Sequence, residues 1–228
     1  MTRARCILFD LDGTLLDTLP DLAFALNTVL AEEGLEPLPL QLIRPAISHG
    51  AQALLRLGFG EVQDQAAADR RVARLLAVYQ RHLAANTKLF DGMAEVLETI
   101  ESQGKVWGVV TSKRRYLTLP LLERLGLRQR VACVVCGDDT LYGKPHPDPL
   151  WLACRMARVE PAECLYMGDA RSDIEAGRRA GMRTLVARYG YLAPDARPEL
   201  WGADAVVDKP EQLVHLLRDG LAASAEPW

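Results

Sequence analysis

Six short runs in this chain are almost wholly apolar: CILF (6–9), VWGVV (106–110), VACVV (131–135), CLYM (164–167), TLVA (184–187) and AVV (205–207). A strand with one wet face alternates apolar and polar residues. A strand apolar throughout has to be covered on both faces, as in a parallel sheet between two layers of helices. The intervals carry helical periodicity, with apolar residues at i, i+3 or i+4 across 93–103, 114–125, 148–157, 172–180 and 210–218. This alternation predicts an α/β fold with a doubly wound parallel sheet.

Residues 19–87 break the pattern and hold no convincing strand. Leu22, Leu26, Val29 and Leu30 form one helical stripe, for which Thr18 and Asp21 offer a capping pair. A second long helix is expected over 61–85, with Val72, Leu75, Leu76 and Tyr79 on one face. The stretch between them is punctuated by Pro and Gly and has room for one or two short helices. The expected organisation is a core of residues 1–17 and 88–228 with an all-helical insert, 18–87, placed after the first strand. The final ASAEPW reads as a frayed tail.

Composition narrows the class of function. A net charge of −3 gives no basic excess for nucleic acid or an anionic membrane. The apolar run near the N-terminus is too short for a signal peptide, and no stretch approaches a membrane span. A cytoplasmic protein, monomeric or homodimeric, is the expectation. Five cysteines at irregular spacing suit reduced thiols. Cys133 and Cys136 form a C-x-x-C, but positions three apart on a strand face opposite sides.

The strand ends carry the chemistry. The first strand ends at Asp10, the second at Thr111-Ser112, and CLYM runs into Gly168-Asp169. Ligands of open α/β sheets bind beyond the carboxyl ends of the strands. Asp10, Asp12, Thr111, Ser112 and Asp169 are therefore expected to converge, with Lys144 reaching the same edge from a loop. Acids crowded like this need a cation, and a hard, oxygen-preferring ion such as Mg²⁺ suits them. A carboxylate beside Mg²⁺, facing a phosphoryl group held by Lys and Thr, is a nucleophile in place. Asp10 would attack phosphorus. Asp12, two residues on, would protonate the leaving oxygen and then activate water.

The segments DLDGTLLDT, VVTSK, GKPHPDP and MGDARSDIEAGRRAG resemble, in order, the four motifs of the haloacid dehalogenase superfamily of phosphohydrolases. The helical insert resembles that family's cap of the first type. The resemblance implies Asp10 as nucleophile and Asp12 as general acid/base. It implies Mg²⁺ on the Asp10 carboxylate, the Asp12 main-chain oxygen and Asp169. Thr111 and Lys144 would hold the phosphate, with Asp173 supporting the metal or orienting Lys144; Ser112, beside Thr111 at the strand end, can donate to the same phosphate oxygens. Arg44, Ser48 and His49 lie where the family places its substrate-reading cap loop; Ser48 alternatively caps the following helix. Asp17 is expected to brace the start of the cap hinge, and His146 to lie on a surface loop. Within the family the chain is similar to phosphoglycolate phosphatases, while RYGYLAP and WGADAVVD are similar to a subgroup acting on N-acetylmuramic acid 6-phosphate. A small phosphorylated metabolite is the implied partner in either case.

Rival chemistries on similar sites are disfavoured by particular residues. A phosphoacceptor signalling domain has no use for Asp12 or a helical lid. A phosphonate hydrolase of the related type needs a cap lysine, and residues 16–87 contain none. A sugar-phosphate mutase shares every core residue and stays open.

Overall fold

A computed structural model of the chain describes residues 4–61 and 64–219. In chain order its elements are β1 (Cys6–Phe9), β2 (Leu16–Asp17), α1 (Leu19–Glu32), α2 (Leu40–Ile43), α3 (Gly50–Phe59), α4 (Gln65–Arg81), β3 (Lys88–Leu89), α5 (Met93–Ser102), β4 (Val106–Val110), α6 (Arg115–Arg124), β5 (Cys133–Val135), α7 (Asp148–Ala157), β6 (Cys164–Gly168), α8 (Arg171–Ala180), β7 (Arg183–Ala187), β8 (Ala205–Val207) and α9 (Pro210–Asp219). A 3-10 turn, Arg44–His49, joins α2 to α3.

The six apolar runs form one parallel sheet in the order β5-β4-β1-β6-β7-β8. Successive residues of each strand serve opposite layers, as the pleat requires. On β1, Ile7 and Phe9 join one apolar cluster, while Cys6 and Leu8 join the other. The larger cluster continues without a break into Leu22, Leu26, Leu75 and Tyr79 of the helical insert. Chain order puts β1 at the centre, with β4 on one side and β6 on the other. The crevice beyond their carboxyl ends is thus the topological switch point where such sheets bind ligands.

VACVV joins the sheet two residues later than expected. The Val131 N–H closes a turn onto Leu127 O, so the strand starts at Cys133. Cys133 and Cys136 fall into opposite layers. Burial pushes their thiols up to about 12 and about 11, and all five cysteines are free. No helix among the described residues is long and apolar enough to cross a membrane.

The long helix of the insert is shorter than its apolar stripe suggested. It runs Gln65–Arg81, started by Asp64, whose side chain accepts the Ala66 N–H at 2.9 Å. Residues 62–63, expected within that helix, and the ASAEPW tail lie outside the described residues. The Pro- and Gly-rich connection is helical almost throughout from Leu40 to Phe59.

One feature adds to the sequence reading and another corrects it. Residues 16–17 and 88–89, where the chain enters and leaves the insert, form a two-stranded antiparallel ribbon, pairing Leu16 with Leu89 and Asp17 with Lys88. Two residues per strand are too few to leave a period-2 signal. Thr18 stands at the N-cap of α1 but makes no side-chain cap bond. Its presumed partner Asp21 turns instead to the chain leaving the insert. There it accepts Asn86 N at 2.9 Å, Asn86 Nδ2 at 3.2 Å, Thr87 N at 3.1 Å and Thr87 Oγ1 at 2.7 Å. A buried carboxylate goes where most donors are.

Candidate active site

Asp10, Asp12, Thr111, Ser112 and Asp169 stand within three residues of a strand end, where backbone pairing fixes the chain; Lys144 comes from the loop after β5, and Arg44, Ser48 and His49 from the 3-10 turn of the insert. Asp10 N donates to Met167 O of β6 at 2.8 Å, and Thr111 N to Val135 O of β5 at 2.9 Å. The turn after Asp10 needs glycine. Gly13 has φ +82°, and a Cβ there would sit 2.3 Å from Asp169 Oδ2.

Ligand oxygens of Asp10, Asp169 and Asp173 lie within 4.8 Å of one another, all buried. Burial is the main force on Asp10 and pushes its carboxyl up to about 8; Lys144 opposes this, while Asp173 and Asp169 reinforce it. Asp169 is likewise raised, to about 6, by burial first and Asp173 second. Lys144 spans the cluster, with Nζ 2.6 Å from Asp173 Oδ1 and 3.0 Å from Asp10 Oδ1. Burial works against its charge, but Asp10 and Asp173 outweigh that and keep the ammonium well above the ordinary lysine range. Tyr166 reaches the same group from β6, accepting from Lys144 Nζ at 3.1 Å and standing 3.0 Å from Asp173 Oδ1.

A divalent cation fits this donor set. Asp10 Oδ1 is buried and, despite the nearby ammonium, accepts no well-directed hydrogen bond among the described residues. Such an atom normally has a partner. An all-oxygen, carboxylate-rich cluster is the chemistry of a hard ion.

The raised carboxyls make a prediction about the metal-free protein. Unfolded, these acids ionise near 3.8; folded, they hold their protons toward 6 and 8. The folded state thus binds more protons through this window, and stability falls as pH rises through it. In a chelator, the melting temperature is expected to drop between pH 5.5 and 8. Added Mg²⁺ should raise it more at pH 8 than at pH 5.5. Scanning fluorimetry checks both; a flat profile with no Mg²⁺ effect would count against the cluster.

Above the acids lies a chamber of about 340 Å³. Asp10, Asp12, Thr111, Ser112, Lys144 and Asp173 line its floor. Ser48 and His49 enter from the insert, and Ser48 also donates to Asp169 Oδ2 at 2.9 Å. Arg44 does not line the chamber. It donates from Nη2 to Tyr189 O at 2.6 Å and lies over the Tyr191 ring. Asp17 Oδ1 accepts the Tyr191 hydroxyl at 2.7 Å, bracing the ribbon. His146 stands 3.2 Å from Asp148 on an exposed loop.

Several residues escaped the sequence reading. Lys113 Nζ contacts both Asp12 oxygens, at 2.7 and 2.8 Å, and lies over the Tyr79 ring of α4. Its place in VVTSK, three residues past a strand end, was the available signal. Among the described residues the Tyr79 hydroxyl, buried in the chamber wall, has no hydrogen-bond partner, and burial pushes it up to about 12. Tyr191 N donates to Asp169 Oδ2 at 2.9 Å, which brings its loop so close that a Cβ on Gly190 would lie 2.3 Å from Gly13 O.

A parallel sheet with this acid cluster and lysine at its switch point is the arrangement that the resemblance to the haloacid dehalogenase superfamily implies. Residues 7–187 match the haloacid dehalogenase-like hydrolase family, and the chain belongs to it. It is 43% identical over 219 residues to the N-acetylmuramic acid 6-phosphate phosphatase of Pseudomonas putida, covering 96% of this chain and 98% of that one. It is 42% identical over 209 residues to the phosphoglycolate phosphatase of Xanthomonas campestris, covering 92% and 94%. Among solved structures, it is similar to a predicted phosphoglycolate phosphatase from Haemophilus somnus, with a TM-score of 0.84 at 26% identity over 96% of this chain and 99% of that one. The expectation of a phosphoric monoester hydrolase stands.

Proposed function

We propose that the chain is a Mg²⁺-dependent phosphatase working through an aspartyl-phosphate on Asp10, and that its substrate is the larger of the two candidates, N-acetylmuramic acid 6-phosphate. The observation that carries the choice is the chamber's far wall. Ile47, Leu54, Val72, Leu75 and Leu76 line it across from the phosphate-holding floor. A two-carbon acid brings almost no apolar surface to bury there. An amino sugar with an acetamide methyl and a lactyl ether does, and a volume of about 340 Å³ lies within the range of small-molecule sites. Arg114, at the rim, suits the carboxylate that the lactyl group carries. Phosphoglycolate, the first expectation from the sequence, becomes the second reading, supported by the Xanthomonas campestris relative named for it.

In this reading Lys144, Thr111 and Ser112 hold the phosphoryl group against the Asp10 carboxylate. Asp10 attacks phosphorus as the bond to the leaving oxygen breaks, and Asp12 gives that oxygen its proton. Asp12 then takes a proton from water, which attacks the phosphorus of the aspartyl-phosphate and releases phosphate and free Asp10. Lys113 fixes the Asp12 carboxylate between these steps. Mg²⁺, on Asp10, Asp169 and the Asp12 main-chain oxygen, supplies when bound the positive charge that offsets the acids and the phosphoryl oxygens. Residues 18–87 act as a cap on a core of 1–17 and 88–228, and apolar closure keeps bulk water from the reacting groups.

The test compares both substrates with Mg²⁺. kcat/KM for N-acetylmuramic acid 6-phosphate is expected to exceed that for phosphoglycolate by at least about tenfold, a difference of about 1.4 kcal/mol. The reverse order would return the assignment to the two-carbon acid. Isomerised sugar phosphate without released phosphate would make the protein a mutase.

A further inference from the structure

Ser48 was open to two readings, as a substrate contact or as the cap of the helix after it. The helix reading fails: α3 has His49 at its N-cap and no side-chain cap bond. Half-buried near the end of the 3-10 turn, Ser48 donates its hydroxyl to Asp169 Oδ2 at 2.9 Å. Among the described residues it makes no other side-chain hydrogen bond.

Asp169 already has two donors from the sheet side of the site. Thr14 Oγ1 lies 3.2 Å from Oδ1, and Tyr191 N lies 2.9 Å from Oδ2. Ser48 is the third, and it arrives from the insert. Four residues earlier, Arg44 ties the same turn to Tyr189 O. The Tyr189–Tyr191 loop then returns to the ribbon, where the Tyr191 hydroxyl accepts Leu19 N at 2.9 Å and donates to Asp17. Position of the turn, orientation of Asp169 and geometry of the ribbon are therefore joined by hydrogen bonds.

We propose that Ser48 is a positioning residue for the cation-binding carboxylate: the closed insert orients Asp169 for Mg²⁺, and bound Mg²⁺ in turn favours the closed insert. This rests on the reading of Asp169 as a Mg²⁺ ligand. Hydrogen-bond partners that orient a metal ligand are worth about 10–100-fold in metal affinity. A partner present only when the insert is closed couples closure to binding by the same factor in both directions. Ser48 acts through Asp169 and needs no contact with substrate.

Calorimetric titration of the full chain with Mg²⁺, without substrate, tests the proposal. Ser48→Ala is expected to weaken Mg²⁺ binding about tenfold, whereas Ser48→Thr, which keeps the hydroxyl, should stay within about threefold of wild type. A structural role alone would change melting temperature without this hydroxyl-dependent split in affinity. Hydrogen exchange gives the reciprocal arm: Mg²⁺ should slow exchange at the amides of residues 46–50 in wild type, and do so less in Ser48→Ala. An equal or tighter Mg²⁺ constant in Ser48→Ala, or exchange in wild type that ignores Mg²⁺, would overturn the coupling and leave the phosphatase reading intact. Wild-type protein that binds no Mg²⁺ would overturn both.

Discussion

Asp10→Asn is expected to lower phosphate release by at least about 10³-fold, because an amide oxygen is a poor nucleophile and the remaining groups only bind and orient. Loss of activity alone would also follow from misfolding, so a second readout decides. The Asp10 carboxyl is pushed up to about 8 by burial first, with the neighbouring acids adding to it. Its ionisation therefore costs the folded, metal-free protein stability as pH rises toward 8. The amide cannot ionise. Asp10→Asn should accordingly melt at or above the wild-type temperature at pH 8 in a chelator, and its fall in melting temperature between pH 5.5 and 8 should be shallower. Inactive but stabilised protein is the signature of a nucleophile held in an unfavourable place for its function. Retained turnover would remove Asp10 from the mechanism. Inactivity with a large drop in melting temperature would mean that the substitution had broken the Lys144 network.

What sequence could and could not reveal follows from how far each interaction reaches. Asp10 and Asp169 were legible because their placement is local: a buried strand stops, and the next residue faces the crevice; Asp173, five residues past β6, came only from the family resemblance. The sheet was legible because strands covered on both faces are apolar throughout. Arg44 shows the limit. Its position in the loop was readable, but whether its guanidinium enters the chamber or crosses to Tyr189 depends on the orientation of a 3-10 turn. Lys113 was visible as a cation near a strand end. Its partner Asp12 lies 101 residues away, and no spacing rule links the two. The approach of Gly190 to Gly13 is likewise a contact between two loops, invisible until both are in place.

Asp21 carries a large expected stability effect for a single polar residue. It is 1% exposed, in the first turn of α1, and receives four hydrogen bonds from Asn86 and Thr87. Two of those donors are backbone N–H groups just before the return strand of the ribbon, so the carboxylate pins the chain leaving the insert to the chain entering it. Asp21→Ala would leave these donors in a dry site with no acceptor. At about 1–3 kcal/mol for each buried group left unsatisfied, with some recovered by local rearrangement, the expected cost is about 3–5 kcal/mol. For a chain of this size that is a fall in melting temperature of roughly 10 °C. Asp21→Asn should recover at most about half of it, because one of its two terminal atoms is itself a donor and would face donors. Hydrogen exchange localises the effect: the amides of residues 86 and 87 should lose protection before those of β1 and β6. Were Asp21→Ala to melt within about 1 °C of wild type, the bonds would be incidental and the ribbon would hold the two chains on its own.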